Sequence, residues 1–136
     1  MRKIQFIICG WYFDEFDGKT EQYDYINGLK YLKNNNKFIS VFWACHKEPP
    51  EIVSENFDYK VFENLGLEWG AYNKAFNYLK LDPGTMVFCM QDDMVVNDWD
   101  FVYTCVDRLY DKTKVIGNGP AYPWDFDPKE EARLSY

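Results

Sequence analysis

Short runs rich in Ile, Val and Phe alternate along this chain with stretches whose apolar residues recur at helical spacing, and no other feature narrows the fold as much. Parallel strands need a long crossover to return the chain to the same end of a sheet. Alternation of this kind is therefore the sign of βα units, not of a sandwich or a bundle. Ile4 to Cys9 reads as a first strand ending at Gly10, and Tyr25, Ile26, Leu29 and Leu32 then share one face of a helix that Asn34-Asn35-Asn36 ends. Phe38 to Cys45 is a second strand, apolar throughout as expected when both sheet faces are covered. His46-Lys47-Glu48-Pro49-Pro50 breaks the chain, and Tyr59 to Phe62 is a short third strand. A turn from Asn64 to Gly70 leads into a helix with Tyr72, Phe76 and Leu79 on one stripe, and Asp82-Pro83-Gly84 turns the chain into a fourth strand, Met86 to Met90. Asn97 is the expected cap of a further helix, with Asp100 in its first turn and Val102, Cys105, Val106 and Leu109 on its apolar face. Lys114 to Ile116 reads as a fifth strand, and the segment from Gly117 to Tyr136 as loop with a terminal helical turn. The expected fold class is α/β: a three-layer, mostly parallel sheet with helices on both faces.

With 136 residues, 47% of them hydrophobic, the chain suits one compact domain with a sizeable core. A net charge of −7 and scattered basic residues argue against nucleic acid or anionic membrane as partners, since both need clustered Lys and Arg. No segment approaches membrane-spanning length. The apolar run after Met1-Arg2-Lys3 is too short for a signal-peptide core, so a cytoplasmic location is expected. Cys9, Cys45, Cys89 and Cys105 are far apart, form no CxxC, and read as reduced packed side chains.

Asp92-Asp93 follows the apolar run Met86 to Met90 directly, and two adjacent carboxylates at the end of a buried strand need compensation. A divalent metal or a polyol ligand supplies it. In an open parallel sheet, ligands bind outside the carboxyl ends of the strands, and Gly10-Trp11, His46, Asn64 and Asp92-Asp93 all lie at such ends in this reading. Each has a plainer reading as well. The acidic pair can be a solvated strand exit, and Gly70 can admit a neighbouring helix instead of a ligand. Asn73 can serve its own helix, Trp11 can pack in the core, and His46 can be a hydrogen-bonded loop residue. The P-loop and dinucleotide glycine patterns are absent. The acidic loop after the first strand does not suit a triphosphate.

The phrase Asn64-Leu-Gly66-Leu-Glu-Trp-Gly70-Ala-Tyr-Asn73, followed by Phe88-Cys-Met-Gln91-Asp92-Asp93, resembles the nucleotide-sugar-binding half of GT-A glycosyltransferases of the family-2 type. In those enzymes a glycine turn and an Asn-bearing helix precede an apolar strand ending in an Asp-x-Asp element. The resemblance implies that Asp93 holds Mn2+ or Mg2+ and that Asp92 reaches a sugar hydroxyl or a metal-bound water. It also implies that Gln91, standing where the family usually has its first Asp, meets a ribose hydroxyl. Gly10, Trp11, His46, Asn64, Gly70 and Asn73 would complete a substrate-binding rim, with Trp11 and Tyr12 near the nucleobase. His46 occupies a place where the family commonly has an acid. The implied partners are a nucleotide-sugar donor and a glycan or other hydroxyl acceptor, with inversion at the anomeric carbon.

The family keeps its catalytic base well downstream of the acidic element, where this chain has Asp125, Asp127, Glu130 and Glu131 as late acids. Residues 1–136 are therefore expected to form a single GT-A-like domain that is incomplete on the acceptor side. The competing expectation is a non-catalytic binding or assembly module that keeps the fold and lacks the base. Aromatics in the loop Trp11 to Phe16 and in the tail Tyr122 to Phe126 are candidates for contact with an acceptor glycan or a partner subunit.

Overall fold

The computed structural model describes residues 2–11, 13 and 20–108. The elements run β1 (Ile4–Gly10), α1 (Thr20–Asn35), β2 (Ile39–Cys45), α2 (Glu51–Ser54), β3 (Asp58–Val61), α3 (Leu67–Leu79), β4 (Met86–Gln91) and α4 (Phe101–Arg108). The chain divides into two compact units, Met1–Asn97 and Asp98–Tyr136, and the sheet lies wholly in the first. The expected fifth strand at Lys114 to Ile116, the late acids and the tail aromatics lie outside the described residues.

The sheet has four strands in the order β3-β2-β1-β4, and every pairing is parallel. Ile4 pairs with both Ile39 and Met86, so β1 is central, and all seven of its residues are buried. Successive strand residues face opposite sides. Ile7, Cys9, Phe42 and Ala44 accordingly form one core with Tyr72 and Ala75 of α3. On the opposite face α1 covers β2 and turns Tyr25, Ile26, Leu29 and Leu32 inward. The result is the expected three-layer α/β arrangement. Each fully buried Ile, Leu or Phe in these layers contributes about 1.5–3 kcal/mol relative to exposure.

Three local readings are corrected. In α3 the inward residues are Tyr72 and Ala75, while Phe76 is 43% exposed. The small Ala75 side chain, fully buried, lets the helix lie close to the sheet where a Phe would hold it off. The Pro49-Pro50 break leads at once into the short α2, because the Pro50 carbonyl accepts the Val53 and Ser54 N–H groups at 2.9 and 3.1 Å. In the second unit α4 begins at Phe101. Asp98 Oδ1 accepts the Asp100 N–H at 2.8 Å, so Asp98, not Asn97, makes the turn before the helix. Among the described residues, no helix is long and apolar enough to cross a membrane.

Candidate functional site

The chain runs β1, β2, β3 outward to one side and then places β4 on the other side of β1, so the topological switch falls between β1 and β4. Crevices at the carboxyl end of such a switch are where open parallel sheets bind ligands. Gly10-Trp11 and Gln91-Asp92 leave the sheet at that point.

Gly10 is needed here, since a Cβ on it would collide with the Phe13 ring and lie 3.1 Å from Cys45 Sγ. Phe13 itself is buried against Trp43, with ring centroids 5.9 Å apart, so it is not among the exposed loop aromatics. The Gly10 carbonyl accepts two bonds from His46: the backbone N–H at 3.3 Å and the ring Nδ1–H at 2.7 Å. A carbonyl can only accept, so in this bond the His46 Nδ1 carries a proton. The His46 ring lies against Trp11, with centroids 4.9 Å apart at 32°. On the other side, the Trp11 N–H donates to Asp92 Oδ2 at 2.9 Å. The end of β1 is thus tied to the exits of both β2 and β4.

β3 leaves the sheet through Phe62, whose N–H donates to the Cys45 carbonyl at 2.8 Å, and the following turn is held by Lys74 Nζ on the Glu63 carbonyl. Gly66 then takes the left-handed conformation at φ 82°, and Leu67 follows at φ 53°, an uncommon setting for a bulky residue. Gly70 sits directly beneath the turn, where a Cβ would run into the Leu65 carbonyl. Its role is close packing.

Two cavities share Trp11, Cys9 and Leu67 as walls. The first, only about 10 Å³, is an apolar slot bordered by Gly10, His46, Phe62 and Asn64. The second, about 150 Å³, is lined by Cys9, Trp11, Leu67, Glu68 and Gln91. Burial, then the charges of Asp92, Glu68 and Asp93 in that order, push the Cys9 thiol up to about 12. All three carboxylates therefore act electrostatically on Cys9, which lines both cavities. Asp92 is fully buried and commits Oδ2 to Trp11, whereas Asp93 is exposed.

Gly10, Trp11, His46 and Asn64 are brought together around the slot, and Gln91 joins Trp11 at the acidic cavity. Asn73 is exposed on α3 and lines neither. Glu68 and Leu67 were not foreseen as site residues. The glycine turn just before them is the one signal that a helix start would face the strand ends. Among the described residues, no cluster of three or more His, Cys, Asp or Glu side chains is arranged to hold a metal. The nearby donors, Asp93, Glu68 and the Gln91 amide, are oxygen ligands. They suit a hard cation whose shell is completed by phosphate oxygens and water, not a metal caged by protein alone.

An exposed apolar rim adjoins the cavities, with Leu65 59%, Leu67 61% and Trp69 76% exposed. In comparisons with known proteins, no family model matches the chain, and no curated protein or solved structure is similar to it.

Proposed function

We propose that this chain binds a nucleoside diphosphate sugar together with Mn2+ or Mg2+ at the β1–β4 switch point and passes the sugar to an acceptor hydroxyl. The observation that carries the reading is the larger cavity, where Glu68 stands beside Gln91 and Trp11 and the charges of Asp92 and Asp93 reach the Cys9 thiol in its wall. Among the described residues, no Lys or Arg lines either cavity, so a diphosphate would enter beside these acids with a cation to bridge it. A bound divalent cation would stabilise charge on the leaving diphosphate. Asp93 and the Gln91 amide would hold the cation and a ribose hydroxyl, and Asp92 would keep the Trp11 backbone in place. In the transfer, an acceptor oxygen bonds to the anomeric carbon as the bond to the diphosphate breaks and the hydroxyl proton passes to a base.

Calorimetric titration of UDP-, GDP-, CDP- and dTDP-linked sugars, with Mn2+ present or chelated, tests this. One nucleotide should bind only with metal, and Asp93→Ala should weaken it at least about tenfold, the loss of one charged ligand. A folded protein that binds no member of the set under either condition would sink the reading. Metal-dependent binding without turnover when acceptor hydroxyls are supplied would leave the binding-module reading in place of transfer.

A further inference from the structure

The two edges of the described sheet are built differently. β3 is four residues long and displays the charges of Asp58 and Lys60, which guard an edge against pairing with another chain. β4 is six residues long, Met86–Gln91, and carries no charge and no proline. An unguarded apolar edge is a template for a further strand.

The face above β4 is also bare. α3 lies over β1 and β2, with Tyr72 and Ala75 inward and with Tyr78 packed on Phe42 and Phe62 at the β2–β3 side. Trp69 and Phe76, seven residues apart on one stripe, therefore project to the other side, toward β4. Both are exposed, and so is Cys89 of β4. Burial, then the Cys9 and Cys89 thiols, raise the Tyr72 hydroxyl, which sets Cys89 level with Tyr72, midway between Trp69 and Phe76.

We propose that this chain pairs with a second copy of itself about a two-fold axis at Cys89, edge to edge through β4, with Trp69 and Phe76 of each copy closing over the seam. A single added strand would cover the edge and leave the two rings in water, whereas a second copy covers both. The charges agree with this occupant. Glu68 and Asp93 lie at the carboxyl end of the sheet, and the exposed Lys80 lies at the far end of α3. An antiparallel copy sets Lys80 toward the partner's Glu68 and the partner's Asp93, where a parallel one would set acid on acid. Opposite residues of an antiparallel pair face the same side of the sheet, so the axis sets Cys89 against the partner's Cys89, with Cβ atoms about 4.5–5.5 Å apart. It also matches Trp69, three residues before Tyr72, with the partner's Phe76, four residues after it. One strand and one helix flank make a small interface, so a dissociation constant of about 1–100 µM is expected. The inference stands apart from the nucleotide-sugar reading.

Sedimentation of the full chain over that concentration range tests it. A monomer–dimer equilibrium is expected, and Cys89→Lys, which puts two ammonium groups face to face at the axis, should raise the dissociation constant at least about tenfold. Trp69→Ser, at an exposed position remote from the axis, should do the same, with an unchanged urea midpoint to show that the fold is kept. In a Cys105→Ser background Cys89 is the one exposed cysteine among the described residues, and a short bismaleimide should link two chains through it. A chain that stays monomeric throughout would overturn the proposal, and slow hydrogen exchange along all of β4 in that monomer would show its edge covered within one chain. A dimer that neither substitution weakens, or that the bismaleimide leaves unlinked, would overturn it as well, since the copies would then meet elsewhere.

Discussion

Asp92 has no exposed surface, and a buried carboxylate is tolerated only where donors answer its charge; one of those donors is the Trp11 N–H at 2.9 Å. Asp92→Ala should therefore lower stability by about 1–3 kcal/mol, the cost of stranding a buried hydrogen-bond partner. Asp92→Asn should lose less, because an amide oxygen can still accept. Asp93, one position later, is exposed, and Asp93→Ala should stay within about 0.5 kcal/mol of the parent while losing metal-dependent binding. Urea midpoints of the three variants check this, and an Asp93→Ala protein as destabilised as Asp92→Ala would refute the division of roles. The sequence carries half of this distinction. Adjacent residues leaving a strand point in opposite directions, so one of the pair had to face inward. Which one depends on a backbone N–H 81 positions earlier in the chain, and no local pattern encodes that. The same holds for Glu68 and Asn73. They lie five residues apart on one helix, and only their rotation about the α3 axis, set by Tyr72 and Ala75 packing inward, sends one to the cavity and the other to solvent.

At the scale of elements, α3 is positioned by its first turn. Gly70 donates its N–H to the Gly66 carbonyl at 2.8 Å, and its missing side chain lets the Leu65 carbonyl settle on the helix. Gly70→Ala should cost roughly 1–3 kcal/mol by overpacking and should also weaken ligand binding, since Leu67 and Glu68 shift with the helix. Gly84 offers a control, because it has φ 82° but open space around it. Gly84→Ala should cost only the left-handed penalty of about 1 kcal/mol and leave binding unchanged. Denaturation midpoints and nucleotide titrations of both variants separate a steric effect at the site from backbone strain alone. An unaltered affinity in Gly70→Ala would mean that the helix start does not shape the cavity. β1, β2 and β4 could be read directly, because each is an apolar run long enough to register as such, whereas β3, Asp58–Val61, is short and largely exposed. The four-residue α2 could not, being little more than one turn and too short for an apolar period to repeat, and the α3 stripe differs from the pattern because Phe76 outweighs Ala75 in hydrophobicity although Ala75 is the residue that fits.

Across the whole first unit, strand order is the property that a linear reading cannot supply. Apolar runs mark strands but not neighbours, and it is the insertion of β1 between β2 and β4 that gathers Cys9, Cys45, Tyr25 and Tyr72 into the buried centre beneath the site. That gathering has a consequence for stability. Burial raises all four acids above their ordinary values, with Asp92 adding to each shift, and the Cys9 thiol moves from 9.0 to about 12. Each group is neutral when protonated, so a raised value means that the folded protein keeps its proton where the unfolded chain releases it. Below pH 9 both states hold the Cys9 proton and its contribution is complete. Above pH 9 the unfolded chain ionises first and binds fewer protons, so stability falls with rising pH until the folded thiol ionises near pH 12. For Cys9 alone the loss across that window is on the order of 2–4 kcal/mol, and the two tyrosines and Cys45 steepen it. Urea midpoints measured from pH 7 to 11 should be level to about pH 9 and then drop. Cys9→Ala removes one of the four groups and should flatten that drop while costing little at neutral pH. An alkaline slope identical to the parent's would mean that the Cys9 thiol does not sense its burial or the three carboxylates near it.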